Sequence, residues 1–179
     1  MADGATVWTV WTVGHSTRSL DELVALLRAH GVQRVVDVRT VPRSRRNPQF
    51  AQDVLGPALR EHGLGYERAP ALGGLRRPRP DSVNGAWRNA SFRGYADHMQ
   101  TPEFAEAVDA LAERARDERL TVMCAEAVPW RCHRSLVGDA LLVRGAEVLD
   151  IMSPTTAKPH TLTSFARVDG TRVWYPPEG

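Results

Sequence analysis

Two cysteines stand eight positions apart in this chain, and each has polar company: Cys124-Ala125-Glu126 on one side and Cys132-His133-Arg134 on the other. A thiol beside cations, or near a helix N-terminus, shifts toward the thiolate, the form that attacks electrophiles and binds metals. Cys132, with Arg131, His133 and Arg134 adjacent, meets those conditions and is the first candidate for a reactive thiolate. Cys124 taken alone reads as a small buried hydrophobe, although its place at the end of an apolar run makes it a second candidate. A transient redox pair is sterically conceivable across such a loop, whereas a permanent bridge does not suit a reducing compartment. Glu126 offers general acid or base chemistry if a closed pocket raises its pKa, and otherwise an ion pair with Arg39, Arg131 or Arg134.

Other polar residues sit at comparable places. His15 follows Gly14, where backbone can approach a ligand closely, and Ser16 follows in turn. Asp37 and Arg39 are two residues apart on a strand-like run, so their side chains share one side and suit an orienting pair with Arg39 left to hold an anion. Cys124, Cys132, His15 and His133 together contain the donor types of a zinc site, but their spacing matches no standard zinc motif. Cys124-x6-Arg131 is one residue too long for a cysteine phosphatase loop, and it lacks glycines while placing Glu126 where a phosphate would sit. No cofactor is specified by these residues.

These clusters need elements to position them. Val7 to Val13 reads as a strand, and Ser19-Leu20-Asp21-Glu22 has capping-box spacing for a helix with Leu20, Leu23, Val24 and Leu27 on one face, ended by Gly31. Arg34 to Val38 reads as a second strand, parallel to the first through a right-handed crossover. A loop from Thr40 to Phe50 follows, then a shorter helix between Ala51 and His62 that Gly56-Pro57 is expected to break or restart. Pattern is weak from 63 to 100, which suggests a lid or insertion. Thr101-Pro102 opens a helix with Phe104, Ala107, Val108, Leu111 and Ala115 inward. Leu120 to Met123 is a buried strand, Ser135 to Val143 a helix, Glu147 to Ile151 a last parallel strand, and Phe165 to Tyr175 a hairpin about Asp169-Gly170.

Such alternation predicts a single-domain α/β fold over residues 1–179, a largely parallel, Rossmann-like open sheet with helices on both faces. Its geometry matters more than its name. Gly14-His15-Ser16, Asp37-Val38-Arg39 and Cys124-Ala125-Glu126 each end a strand, and in a parallel sheet those ends share one edge. Three clusters distant in sequence should meet there.

The chain has 179 residues, 42% hydrophobic, with a net charge of +2. That balance predicts no general attraction to nucleic acid or acidic membranes. No apolar run is long enough to span a bilayer and no secretory signal opens the chain, so the expected location is the cytoplasm. Arg76, Arg77, Arg79, Arg88 and Arg93 alternate with Trp87, Phe92 and Tyr95, a mixture that can hold phosphates and stack bases. Lys158 is the only lysine, so arginine counts reflect a general bias, and the plainer reading of that segment is a surface loop whose aromatics pack inward.

Taken together, Gly14-His15-Ser16-x-Arg18, Asp37-Val38-Arg39 with Pro42 and Ser44, Leu72-Gly73-Gly74, Cys124-Ala125-Glu126 and Cys132-His133-Arg134 make the chain resemble the domain of unknown function family 488. The resemblance implies a single α/β domain and a signature made of these clusters, with Arg18 and Ser44 added to the residues around the site. It supplies no substrate. The expectation is an enzyme with an anion-binding pocket at the carboxyl edge of the sheet, acting on a nucleotide or nucleic-acid-related substrate. In it Glu126 serves as acid or base, Cys132 or Cys124 as thiolate with His133 beside it, and His15, Ser16, Arg18, Asp37, Arg39, Ser44 and Arg134 surround the anion. The alternatives are a non-catalytic nucleotide or nucleic-acid binding module, and a thiolate and imidazole metal-binding protein. Oligomeric state is not fixed by the sequence.

Overall fold

A computed structural model describes residues 7–40 and 46–178. Six strands form one sheet in the order β3-β2-β4-β1-β5-β6, where β1 is Thr9–Gly14, β2 Arg34–Asp37, β3 Gly65–Arg68, β4 Leu120–Cys124, β5 Glu147–Ser153 and β6 Thr156–Pro159. All neighbours are parallel except β6, which runs antiparallel to β5. The C-terminal hairpin is present as β7 (Arg167–Asp169) and β8 (Arg172–Trp174), with Gly170 at φ +61° in its turn. Short strands β3 and β6 carry too little periodicity to be read from sequence, and they become strands by pairing at the two sheet edges.

Five helices pack on the sheet: α1 (Leu20–Ala29), α2 (Gln52–Glu61), α3 (Ala90–His98), α4 (Pro102–Ala115) and α5 (Arg134–Leu142). The expected capping box at α1 forms, with Ser19 and Glu22 bonding each other's backbone N–H. Helices α1 and α2 bury Leu23, Leu27, Leu55 and Leu59 against Trp11, Val35 and Met123 on one face. On the other face α3, α4 and α5 cover Val10, Val36, Val122 and Val148. Both faces are therefore covered, as a parallel sheet requires. No helix among the described residues is long and apolar enough to cross a membrane.

One sequence expectation fails at α2, which runs unbroken through Gly56-Pro57. Pro57 deprives the helix of one backbone donor, a defect of about 3 kcal/mol in a helix interior. Burial of Leu55 and Leu59, each contributing about 1.5–3 kcal/mol, offsets it. Gly56 also belongs to the packing, since a Cβ there would sit 3.1 Å from the Tyr66 ring. Between 63 and 100 the structure places β3, the fully formed α3 and the buried side chains of Asn84, Tyr95 and Asp97 within the body of the fold.

The strand order decides where a site can form. β1 lies between β4 and β5, yet its chain leaves toward α1 on one face, while β4 leaves toward α5 on the other. Adjacent parallel strands whose connections diverge open a crevice at their carboxyl ends.

Candidate active site

The crevice between β1 and β4 opens into a cavity of about 940 Å³, with His15, Arg39, Cys124, Glu126, Cys132 and His133 in its wall. Its two halves are held in register by main chain. His15 N–H donates to Cys124 O at 2.9 Å, and Ser16 N–H donates to Ala125 O at 2.9 Å, so β1 and β4 continue to pair beyond the strands proper. Gly14 is essential to that approach: a Cβ there would lie 1.6 Å from Glu126 O. Among the described residues only Ser16 (φ +51°) and Leu75 (φ +56°) are non-glycine residues in the left-handed region, and both line this cavity. Backbone strain of that kind gathers at functional sites.

On the β1–β2 side, Asp37 is fully buried and grips Arg39 with both carboxylate oxygens, Nε to Oδ1 at 2.9 Å and Nη2 to Oδ2 at 2.7 Å. The expected orienting pair is thus formed. Tyr66, from edge strand β3, donates its hydroxyl to Asp37 Oδ2 at 2.6 Å. Burial opposes the Arg39 charge, but Asp37 more than compensates and raises its pKa. Arg39 Nη1 lies 3.3 Å from His15 Nε2, and His15 Nδ1 lies 2.8 Å from Ser16 O. Those partners require His15 to be neutral with its proton on Nδ1, in keeping with a pKa lowered by burial and then by the Arg39 charge.

The β4–α5 side holds the thiols. Cys124 and Cys132 are both free, both buried and both in the cavity wall, where Cys124 Sγ donates to Glu126 O at 3.6 Å and Arg134 N–H donates to Cys132 Sγ at 3.4 Å. Burial alone would raise the Cys124 pKa, but the bond from Cys132 and the Arg134 guanidinium outweigh it and leave the thiol below its usual value. Cys132 moves the opposite way, raised by its hydrogen bond to Cys124 and by burial. The sequence favours Cys132 as the thiolate, whereas the shifts run the other way, down at Cys124 and up at Cys132. The reason is local: Arg131 faces solvent, burial keeps His133 neutral, and Cys124 and burial together raise the pKa of Cys132. His133 caps α5 without a side-chain bond to the helix, leaving Nε2 to donate to Val38 O at 3.1 Å while Nδ1 lies 3.6 Å from Cys132 Sγ. Burial lowers its pKa to about 4.

Arg134 is fully buried behind the thiols and outside the cavity wall. Its Nη2 donates to Glu126 O at 3.1 Å and Ala127 O at 3.4 Å, its Nη1 donates to Thr12 Oγ1 at 3.3 Å, and its Nε has no partner. Among the described residues no carboxylate forms an ion pair with it. A buried cation without a carboxylate is costly, and a thiolate at Cys124 is the negative charge that its position favours.

The remaining candidates are placed as follows. Glu126 is exposed in the cavity wall, and among the described residues its carboxylate forms no ion pair, so the expected bridges to Arg39, Arg131 or Arg134 are absent. Arg18 lies outside the wall and donates to Gly14 O. Ser44, with Pro42, lies outside the described residues. No group of three or more His, Cys, Asp or Glu among the described residues could hold a metal ion, because the ring nitrogens of His15 and His133 face protein atoms. In the 76–95 segment the aromatics turn inward: Trp87 stacks on Phe92 at 4.9 Å and meets Phe165 and Tyr175 edge-on, and Tyr95 donates to Leu72 O at 2.8 Å. Sequence reasoning missed Tyr66 and Thr12, which touch the site only through Asp37 and Arg134 and carry no motif.

Fold and site together define an α/β protein with a two-thiol pocket at the switch point of a parallel sheet. The chain matches the family described as Domain of unknown function DUF488 over residues 19–141 and belongs to it. The matched span takes in Asp37–Arg39 and Cys124–Arg134 and begins just after Arg18. No curated protein and no solved structure matches the chain significantly.

Proposed function

We propose that this protein is a cytoplasmic, thiol-dependent enzyme that binds a small anionic substrate, in the size range of a nucleotide, at the carboxyl edge of its sheet. Cys124 is the attacking thiolate. Arg39, Arg46 and Arg131 bring positive charge to a wall that carries one carboxylate, Glu126, which serves as acid or base toward the leaving group. A cavity of about 940 Å³ lies within the range of small-molecule sites. The observation that carries the reading is the pair of free thiols in one cavity wall beside a fully buried guanidinium that has no carboxylate partner among the described residues. Two free thiols also suit a reducing compartment.

Alkylation tests this without a known substrate. Cys124 should react with iodoacetate faster, relative to iodoacetamide, than free cysteine does, and pyrophosphate or a nucleoside monophosphate should slow it. Cys124→Ser should lower total thiol labelling at neutral pH by about tenfold in initial rate, because the thiol with the lowered pKa is gone and burial still raises that of Cys132. Equal labelling rates in wild type and Cys124→Ser would sink the assignment.

A further inference from the structure

The nucleophile reading leaves Cys132 with nothing to do beyond a hydrogen bond, yet its surroundings equip it for more. Cys124 and Cys132 are the chain's only cysteines, and each reaches the same cavity from a different element, Cys124 from the end of β4 and Cys132 from the start of α5. The loop between them is pinned, by Arg134 on the carbonyls of Glu126 and Ala127 and by the close packing of Gly14. That holds both free thiols in the wall of one cavity. His133 Nε2 is engaged with the Val38 carbonyl, so the lone pair of Nδ1 faces Cys132 Sγ at 3.6 Å, and the ring is neutral because burial resists its protonation. A thiol with a neutral base at hand can become a second nucleophile.

We propose that Cys124 and Cys132 form a redox-active dithiol that reduces a low-molecular-weight disulfide bearing carboxylates, an activity that rests on Cys124 being the attacking thiolate. The Cys124 thiolate attacks one sulfur of the bound disulfide, forming a mixed disulfide and expelling one half as a thiolate. Cys132 then gives its proton to that leaving thiolate and attacks Cys124 Sγ, closing the Cys124–Cys132 bond and expelling the second half. One substrate disulfide becomes a thiol and a thiolate, and the protein dithiol becomes a disulfide. Cys124 suits the first role because exchange rate follows thiolate fraction, and Cys132 suits the second because its nucleophilicity is needed only after Cys124 has been capped. The wall cations Arg39, Arg46 and Arg131 select a substrate with negative charge.

Oxidised glutathione, an anionic disulfide, and hydroxyethyl disulfide, a neutral one, are the probes. Mass spectrometry of the full chain after exposure to oxidised glutathione should show loss of two hydrogens and no retained glutathione in wild type. Cys132→Ser should instead keep one glutathione on Cys124. The anionic probe should outpace the neutral one by about tenfold at low salt, beyond their ratio with free cysteine. If wild type accumulates the mixed disulfide as Cys132→Ser does, the dithiol proposal fails while the nucleophile reading stands, because Cys124 has still reacted. If neither variant reacts with disulfide although iodoacetate labels Cys124, only the dithiol proposal fails. Inert cysteines toward both reagents would remove both.

Discussion

Two buried polar clusters lie on the α5 face of the sheet, and they are built on opposite terms. In one, Asp139 and Asp150 enclose His160, with His160 Nε2 at 2.8 Å from Asp139 Oδ1 and Nδ1 at 3.6 Å from Asp150 Oδ2. Tyr175 donates to Asp139 Oδ2 at 2.8 Å and Thr163 N–H to Oδ1 at 3.1 Å, so nearly every lone pair has a partner. In the other, Arg134 carries a full charge with carbonyls and a hydroxyl for company and an orphaned Nε. Thr12 connects them, donating to Asp150 while accepting from Arg134. A saturated network gives the fold rigidity and offers no capacity for reaction, whereas an incomplete one keeps electrostatic potential for a group that comes and goes. The thiols sit beside the incomplete one.

The largest test of that contrast removes a central carboxylate. Asp139→Ala should lower the unfolding free energy by about 3–5 kcal/mol in urea denaturation, because it strands a buried imidazolium and a tyrosine hydroxyl. Alkylation of Cys124 in the folded variant should change by less than about threefold, since Asp139 reaches Arg134 only through His160, Asp150 and Thr12. A collapse of thiol reactivity there would merge the two clusters into one. Arg134→Met should do the reverse, costing about 1–2 kcal/mol for lost loop hydrogen bonds while slowing alkylation at neutral pH by about tenfold, as the Cys124 pKa rises with the loss of the neighbouring positive charge. Unchanged reactivity would break the contrast from the other side.

The smallest effect is a pH dependence. Burial alone would lower the His160 pKa, but Asp139 and Asp150 outweigh it and raise the value from 6.5 to about 9. A folded pKa above the unfolded one means that folding favours the bound proton. Its stabilisation is therefore complete below about pH 6.5 and is lost as pH rises through about 9. His160→Gln should remove that slope from denaturation midpoints between those pH values and leave the thiol alkylation profile in place. A slope that persists in the variant would assign it to another group.

Much of this arrangement is legible in the chain. Strand and helix alternation brings Gly14-His15-Ser16, Asp37-Val38-Arg39 and Cys124-Ala125-Glu126 to one edge, because a parallel sheet permits no other placement for three strand ends. The Asp37–Arg39 pair follows from residue spacing alone. What escapes the sequence depends on tertiary contact. Strands β3 and β6 exist through edge pairing, α2 survives Pro57 through buried leucines, and α3 starts where Asn89 caps the Ser91 and Phe92 N–H groups. The distribution of charge between the cysteines escapes too. Arg131, His133 and Arg134 look equivalent around Cys132 in sequence, and only burial separates an exposed cation, a neutral ring and a guanidinium turned to the Glu126 and Ala127 carbonyls. His160, which no motif marks, is the centre of the saturated network for the same reason.

Gly14 has a mechanical consequence. With no side chain between them, the end of β1 and the Glu126 carbonyl form a joint of main chain against main chain, and the wall that carries both thiols moves only when the sheet moves. Accommodation of ligands of different shape then falls to the facing wall, where Leu75 stands 78% exposed in a strained conformation beside the start of α3. The cavity therefore has one wall tied to the sheet by main chain and a facing wall that carries an exposed residue in a strained conformation.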